Sequence, residues 1–156
     1  MGSLAGSPLL VSAWVDGRPW AMTVSAFSSI SATPPLVMVS LTNTTKVCHQ
    51  ILKTKRLGIS ALSTDQEHLA RRCGTPGTSK FVDDICIEPT PGGSHGEPAI
   101  RDAVFNLACS VVQTVPVADH VLIIGAIQRS QMNAPEGARP LLYHDRNYWS
   151  LTPNGG

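Results

Sequence analysis

The chain has 156 residues, 42% of them hydrophobic and 15% charged, with a formal net charge of +1. That is the length of one ordinary domain, with enough apolar content for a core and too few charges for a disordered chain. The near-neutral balance excludes a partner recruited by charge, such as nucleic acid or an anionic membrane surface, and no run reaches the ~18 apolar residues of a membrane span.

The opening MGSLAGSPLL lacks the basic start and long apolar stretch of a signal peptide. SPLLVSAWV is an apolar run stopped by Asp16-Gly17, a hairpin-turn signal, and RPWAMTVSAF continues as a second strand. Within it Met22, Val24 and Ala26 alternate with Thr23, Ser25 and Phe27, the period of a strand with two different faces. The stretch 23–37, TVSAFSSISATPPLV, is rich in Ser and Thr, carries no charge, and meets a break at Pro34-Pro35. LVMVSL is the next strand. TNTTKVCHQILKTK predicts a short helix capped by Thr44 or Thr45, with Val47, Ile51 and Leu52 on one face. RLGISAL is a strand. STDQEHLARRC starts with Ser63 or Thr64 as cap, has acidic residues in its first turn and ends basic, which predicts a second helix.

GTPGTSKF and EPTPGGSHGEP are Gly/Pro loops. AVFNLACSVVQTV and ADHVLIIGAIQRS are long strands, NAPEGARP is a loop, and LLYHDRNYWSL closes the chain as one strand or a hairpin. Strands joined by turns and short connections predict antiparallel pairing in a barrel or sandwich, and no linker or repeat divides residues 1–156, so a single domain is expected. Cys48, Cys73, Cys86 and Cys109 form no Cys-x-x-Cys and sit largely in apolar runs, which predicts buried thiols and a cytoplasmic setting.

Several chemistries are unsupported. CGTPGTSK lacks the Gly-Lys-Ser/Thr ending of a phosphate loop, and neither Gly-x-Gly-x-x-Gly after a strand nor Gly-x-Ser-x-Gly occurs. His49, His68, His95, His120 and His144 have no helical partner at ligand spacing, so no metal is expected. From the residues alone the chain is an antiparallel β domain with one unusual serine-rich surface.

The run DGRPWAMTVSAFSSISATPPLVMVSL resembles the flavin reductase-like family, the FMN-binding split barrels, with its Asp-Gly turn, Met-Thr-Val, Ser-Ser-x-Ser and two prolines. LGISALSTDQEHLARRC is similar to the family's strand-then-helix. PAIRDAVFNLACSVVQTVPVADHVLIIGAI is similar to its Cys-bearing strand and Gly-Asp-His turn, and RPLLYHDRNYWSL to its closing Leu-x-Tyr…Tyr segment. The resemblance spans Leu9 to Leu151. It implies a mainly β, six-stranded antiparallel Greek-key split β-barrel with two or three short helices, dimerising as a homodimer with flavin near the subunit interface.

The resemblance also implies the activity: an NAD(P)H:flavin oxidoreductase that reduces FMN or FAD with NADH or NADPH and supplies reduced flavin to a partner monooxygenase. The alternative is a flavin-binding protein without reductase activity, or a flavoenzyme acting directly on a specialised metabolite. By position, Thr23, Val24 and Ser25 match the stretch that lines the flavin ring, and Ser29 and Ser31 the polar run near ribityl and phosphate. Ser40, Leu41 and Thr42 match the strand end that also meets flavin. Lys46, near a helix N-terminus, is a candidate for phosphate, His120 matches the His of Gly-Asp-His beside nicotinamide and flavin, and Tyr148 matches the closing Tyr. Three departures stand out: Ser25-Ala26 replaces Asn-Ser, Ala118 replaces the Gly of Gly-Asp-His, and the family's N-terminal helix has no counterpart before the first strand. Ala118 is strained if that turn requires positive φ.

Overall fold

The structure is a computed structural model that describes residues 4–87, 96–132 and 134–155. Most of EPTPGGSHGEP, with His95, and Asn133 of NAPEGARP lie outside the described residues.

Strand β1 (Leu9–Val15) turns at Asp16-Gly17 into β2 (Arg18–Val24). Both turn residues have positive φ, 52° and 74°, the left-handed geometry of a tight hairpin. Ser25 and Ala26 leave the ladder before β3 (Phe27–Ala32), and Thr33-Pro34 turns the chain into β4 (Pro35–Thr42). Helix α1 (Lys46–Thr54) follows, then β5 (Arg56–Ala61), a 3-10 turn at Thr64–Gln66 and α2 (Glu67–Gly74). Two long strands, β6 (Phe105–Val117) and β7 (His120–Gln131), and a ribbon of β8 (Leu141–His144) and β9 (Asn147–Ser150) complete the chain.

Seven strands form one antiparallel sheet in the order β2-β1-β5-β6-β7-β4-β3, and β8-β9 pair separately. The expected count of six is therefore corrected to seven plus a two-stranded ribbon, and the described sheet ends on β2 and β3 without closing. The physical cause is local. Leaving the ladder at Ser25-Ala26 divides what reads as one strand into two, and the halves pair with different neighbours, β2 with β1 and β3 with β4. The antiparallel, mainly β architecture and the two helices are as expected.

The core has two layers. Leu9, Val11, Val37, Val39, Leu41, Ile59 and Ile123 on one sheet face pack against Val47, Cys48 and Ile51 of α1. Thr45 starts that helix by accepting the Cys48 N–H on its hydroxyl at 3.3 Å, and left-handed Lys55 (φ 60°) ends it with a bond to the Ile51 carbonyl. On the opposite face Leu10 and Ala21 pack with Leu69, Ala70 and Cys73 of α2 and with Leu141 of the ribbon. Strand β1 contributes to both layers, which is why SPLLVSAWV is apolar almost throughout. All four cysteines are buried, as their apolar surroundings predict.

Among the described residues, helix α2 packs chiefly over β2 and β1 on the outer face of the sheet. On the same face Leu36 and Met38 of β4 line up with Ala126 and Ile124 of β7, and Leu122 with Val115 of β6, all half-buried. This bare stripe and the groove beside α2 frame the candidate site.

A candidate flavin site beside helix α2

The end of β2, helix α2 and the β8-β9 ribbon enclose a groove of about 550 Å³, within the ~300–1,000 Å³ range of small-molecule sites. Thr23, Val24 and Ser25 form one wall and Tyr148 another, so four of the residues singled out by sequence meet there across more than a hundred residues of chain. The Thr23 hydroxyl donates to the Ala70 carbonyl at 2.7 Å, which fastens β2 to α2 and leaves its oxygen lone pairs toward other donors. Thr75 closes the C-terminal end of α2 with a 2.7 Å bond from its hydroxyl to the Arg71 carbonyl. Tyr148 meets Tyr143 edge-on at 5.1 Å, and the Arg71 guanidinium lies 4.7 Å over the Tyr148 ring while pairing with Glu67. Burial raises the Tyr148 phenol, and the Arg71 charge pulls it partly back. The charged side chains lining the groove are Arg71 and Arg146; no carboxylate lines it among the described residues.

Of the other predicted residues, Ser31, Ser40, Thr42 and His120 fall on or beside the bare stripe, and Leu41, Lys46 and Ser29 do not. The Ser40 N–H donates to the Ala26 carbonyl at 3.2 Å, so β4 abuts the link that carries Ser25. Thr42 pairs with His120, and the Asn43 N–H donates to the Asp119 carbonyl at 2.9 Å, which joins the start of α1 to the tip of the β6-β7 hairpin. At that tip His120 Nδ1 lies 2.8 Å from an Asp119 carboxylate oxygen. Ala118 has φ 52°, so the turn does require the left-handed geometry that the family's Gly provides at lower cost. Leu41 is 1% exposed, backbone and side chain together, and faces α1, so it offers a ligand no surface. Lys46 stands 4.7 Å over the Trp20 ring. Ser29 and Ser31 are split by a bulge: Ser29 pairs with Val37, Ser31 with Leu36, adjacent residues on opposite faces.

Sequence reasoning missed Arg71, Tyr143 and Arg146. Tyr143 is the first aromatic of the Leu-x-Tyr segment, and Arg71 lies in the basic end of a predicted helix, but neither position says that the ribbon folds back over α2. The clue to Arg146 is an arginine in the middle of HDRN, where a tight turn favours Asn or Gly.

The flavin reductase like domain matches residues 1–152. The chain belongs to the flavin reductase-like family. An NADH:FMN oxidoreductase of Rhodococcus qingshengii is 32% identical over 139 residues, covering 88% of this chain and 71% of the relative. The reductase component of a 4-nitrophenol 4-monooxygenase/4-nitrocatechol 2-monooxygenase of Rhodococcus opacus is 29% identical, covering 98% of this chain and 78% of the relative. Among solved structures, the flavin reductase PheA2 in its native state superposes with a TM-score of 0.83 at 30% identity, covering 97% of this chain and 94% of that one.

The family's cofactor fits the groove on chemical grounds. Hydroxyls at Thr23, Ser25 and Thr75, an aromatic face at Tyr148 and two guanidinium groups are what a planar ring with a polyol and phosphate tail requires. The lack of a lining carboxylate spares such a tail like-charge repulsion.

Proposed function

We propose that the chain is an NAD(P)H:flavin oxidoreductase, one domain over residues 1–156, that reduces FMN or FAD and hands reduced flavin to a partner monooxygenase. The observation that carries this reading is the convergence of Thr23, Val24, Ser25 and Tyr148 on one groove with a cationic lining. Flavin and nicotinamide supply the hydride chemistry when bound; the protein needs to bind, orient and shield them. Thr23 to Ser25 bind the ring, with Tyr148 against it. Ser31, Ser40 and Thr42 add hydroxyls from the neighbouring strands, while Leu41 between them packs in the core. His120, held by Asp119, faces the nicotinamide. Lys46 is assigned to supporting Trp20 rather than to phosphate, because its ammonium is already over that ring.

The same reading includes a homodimer. The stripe of Leu36, Met38, Leu122, Ile124 and Val115 runs on to exposed Val117 and places Ser40, Thr42 and His120 along its margin. A second copy on this face buries the apolar side chains and brings another wall to the site.

The test is direct. Mixing the protein with NADH or NADPH and FMN or FAD in air, and following absorbance at 340 nm, is expected to show flavin-dependent loss of the reduced nicotinamide. No flavin-dependent loss with any of the four combinations overturns the reductase reading, and tight flavin binding without turnover replaces it with a non-reductase flavin protein.

A further inference from the structure

Among the described residues, one guanidinium of the groove has no partner. Asp145 and Arg146 form the two-residue turn of the β8-β9 ribbon, with φ 48° and 62°. Such a turn favours Asn and Gly, so an arginine there costs conformational energy that a purely structural turn would avoid. The turn does not use the side chain: its local bond runs from Asn147 Nδ2 to the Asp145 carbonyl at 2.9 Å. Among the described residues Arg146 makes no hydrogen bond, ion pair or ring contact, although it lines the groove. Its neighbour Arg71 is different, being paired with Glu67 and laid over Tyr148. Arg18 and Arg72 are likewise paired with Asp83 and Asp84. The groove therefore holds one committed guanidinium and one uncommitted one.

We propose that Arg146 binds the phosphate of the flavin's ribityl tail, and so selects phosphorylated flavin over riboflavin. The inference rests on the flavin reading above and deepens it. A guanidinium presents paired N–H donors that match phosphate oxygens. With the ring against Thr23 to Ser25, Arg146 at the turn of the ribbon is the unpaired cation of the lining. The assignment moves the phosphate away from Lys46. It also explains why the ribbon carries a charged residue at a left-handed position.

The experiment compares FMN with riboflavin, which differ by the phosphate alone. Dissociation constants are measured by flavin fluorescence quenching for the wild-type protein and for Arg146→Asn, a neutral side chain that tolerates the same φ. The wild type is expected to prefer FMN, with the preference shrinking as salt is added. Arg146→Asn is expected to weaken FMN binding by about tenfold or more while riboflavin stays within about twofold, and Arg146→Lys to recover part of the loss. Equal weakening of both flavins, no change in either, or a wild type indifferent to the phosphate overturns the inference. A change confined to the KM for NADH does so as well, since it gives Arg146 to the nicotinamide nucleotide. If Arg146→Asn does not fold, Arg146→Gly, also suited to this φ, takes its place. A wild type that binds neither flavin fails the family reading itself; one that reduces flavin while Arg146→Asn keeps the FMN preference fails this inference alone.

Discussion

The Asp119 carboxylate and His120 Nδ1 are 2.8 Å apart at the exposed tip of the β6-β7 hairpin. The hydrogen bond from His120 holds the Asp119 carboxyl below its ordinary value of 3.8, so it stays ionised through the neutral range. With Nδ1 turned to Asp119, Nε2 is left to face a ligand. His120→Ala is expected to raise the KM for the nicotinamide donor or lower kcat on the order of tenfold, the worth of one charge-assisted hydrogen bond. Stability is expected to stay at the wild-type level, because the pair is solvated. Asp119→Asn is expected to lower kcat/KM as well, because the ring loses the carboxylate that orients it. Steady-state kinetics from pH 5 to 9 decide between this and a turn-only role, which leaves both variants at wild-type rates.

The bulge in β3 sharpens a second expectation. Ser31 pairs with Leu36, on the face that carries Met38, Ser40 and Thr42, while Ser29 pairs with inward-facing Val37. Ser31→Ala is therefore expected to weaken flavin binding by about 1 kcal/mol, one satisfied hydrogen bond, and Ser29→Ala to leave it unchanged. Titration of flavin into the two single variants and the double variant checks this. Equal losses in both singles contradict the face assignment.

Much of the fold was legible because it is written locally. Asp16-Gly17 names its turn, Thr45 caps its helix, and the alternation of Val37, Val39 and Leu41 with Met38, Ser40 and Thr42 sets the faces of β4. The strand count was not, because nothing in Ser25-Ala26 announces that the ladder is abandoned there; β2 pairs back on β1 and β3 forward on β4, at opposite ends of the sheet. The site was half legible. Thr23 to Ser25 and Tyr148 came from motifs, and the structure brings them together. Arg146 was hidden, since its significance is that a ribbon at the far end of the chain folds over α2, a tertiary fact with no local pattern. Leu41 and Lys46 show the converse: motif position named them, and packing turned one side chain into the core and the other onto Trp20.

Gly58 supports a third prediction, about stability. It sits on β5 opposite Ser12, whose hydroxyl donates to the Pro98 carbonyl at 3.2 Å. A Cβ at position 58 would stand 2.8 Å from that same backbone carbonyl and run into the Ser12 hydroxyl. Backbone cannot step aside as a flexible side chain can. Gly58→Ala is expected to cost about 1–3 kcal/mol by overpacking, read as a lowered urea midpoint at unchanged m. Gly17→Ala, in an open turn with nothing near its Cβ, loses stability only through its φ of 74°. A Gly58→Ala protein as stable as wild type refutes the close approach of β1, β5 and Pro98.

The buried thiols predict how the fold responds to alkali. Burial pushes Cys73 from its ordinary value of 9.0 up to about 11, with Arg72 and Lys80 pulling it partly back. Burial pushes Cys109 up to about 12, and the charge of Glu97 adds to the rise. A folded pKa above the unfolded one means that the folded state keeps protons the unfolded chain gives up. The stability involved is fully present below about pH 9 and drains away as pH rises toward 11 and 12. Two shifts of this size together withdraw on the order of several kcal/mol at the alkaline end. Urea midpoints measured from pH 8 to 11 are expected to fall with a slope that the Cys73→Ala, Cys109→Ala double variant reduces. The same burial makes both thiols slow toward a neutral thiol reagent in the native state and fast in urea. Native-state labelling of Cys73 and Cys109 at the unfolded rate, or a double variant with the wild-type alkaline slope, contradicts their burial in the two core layers.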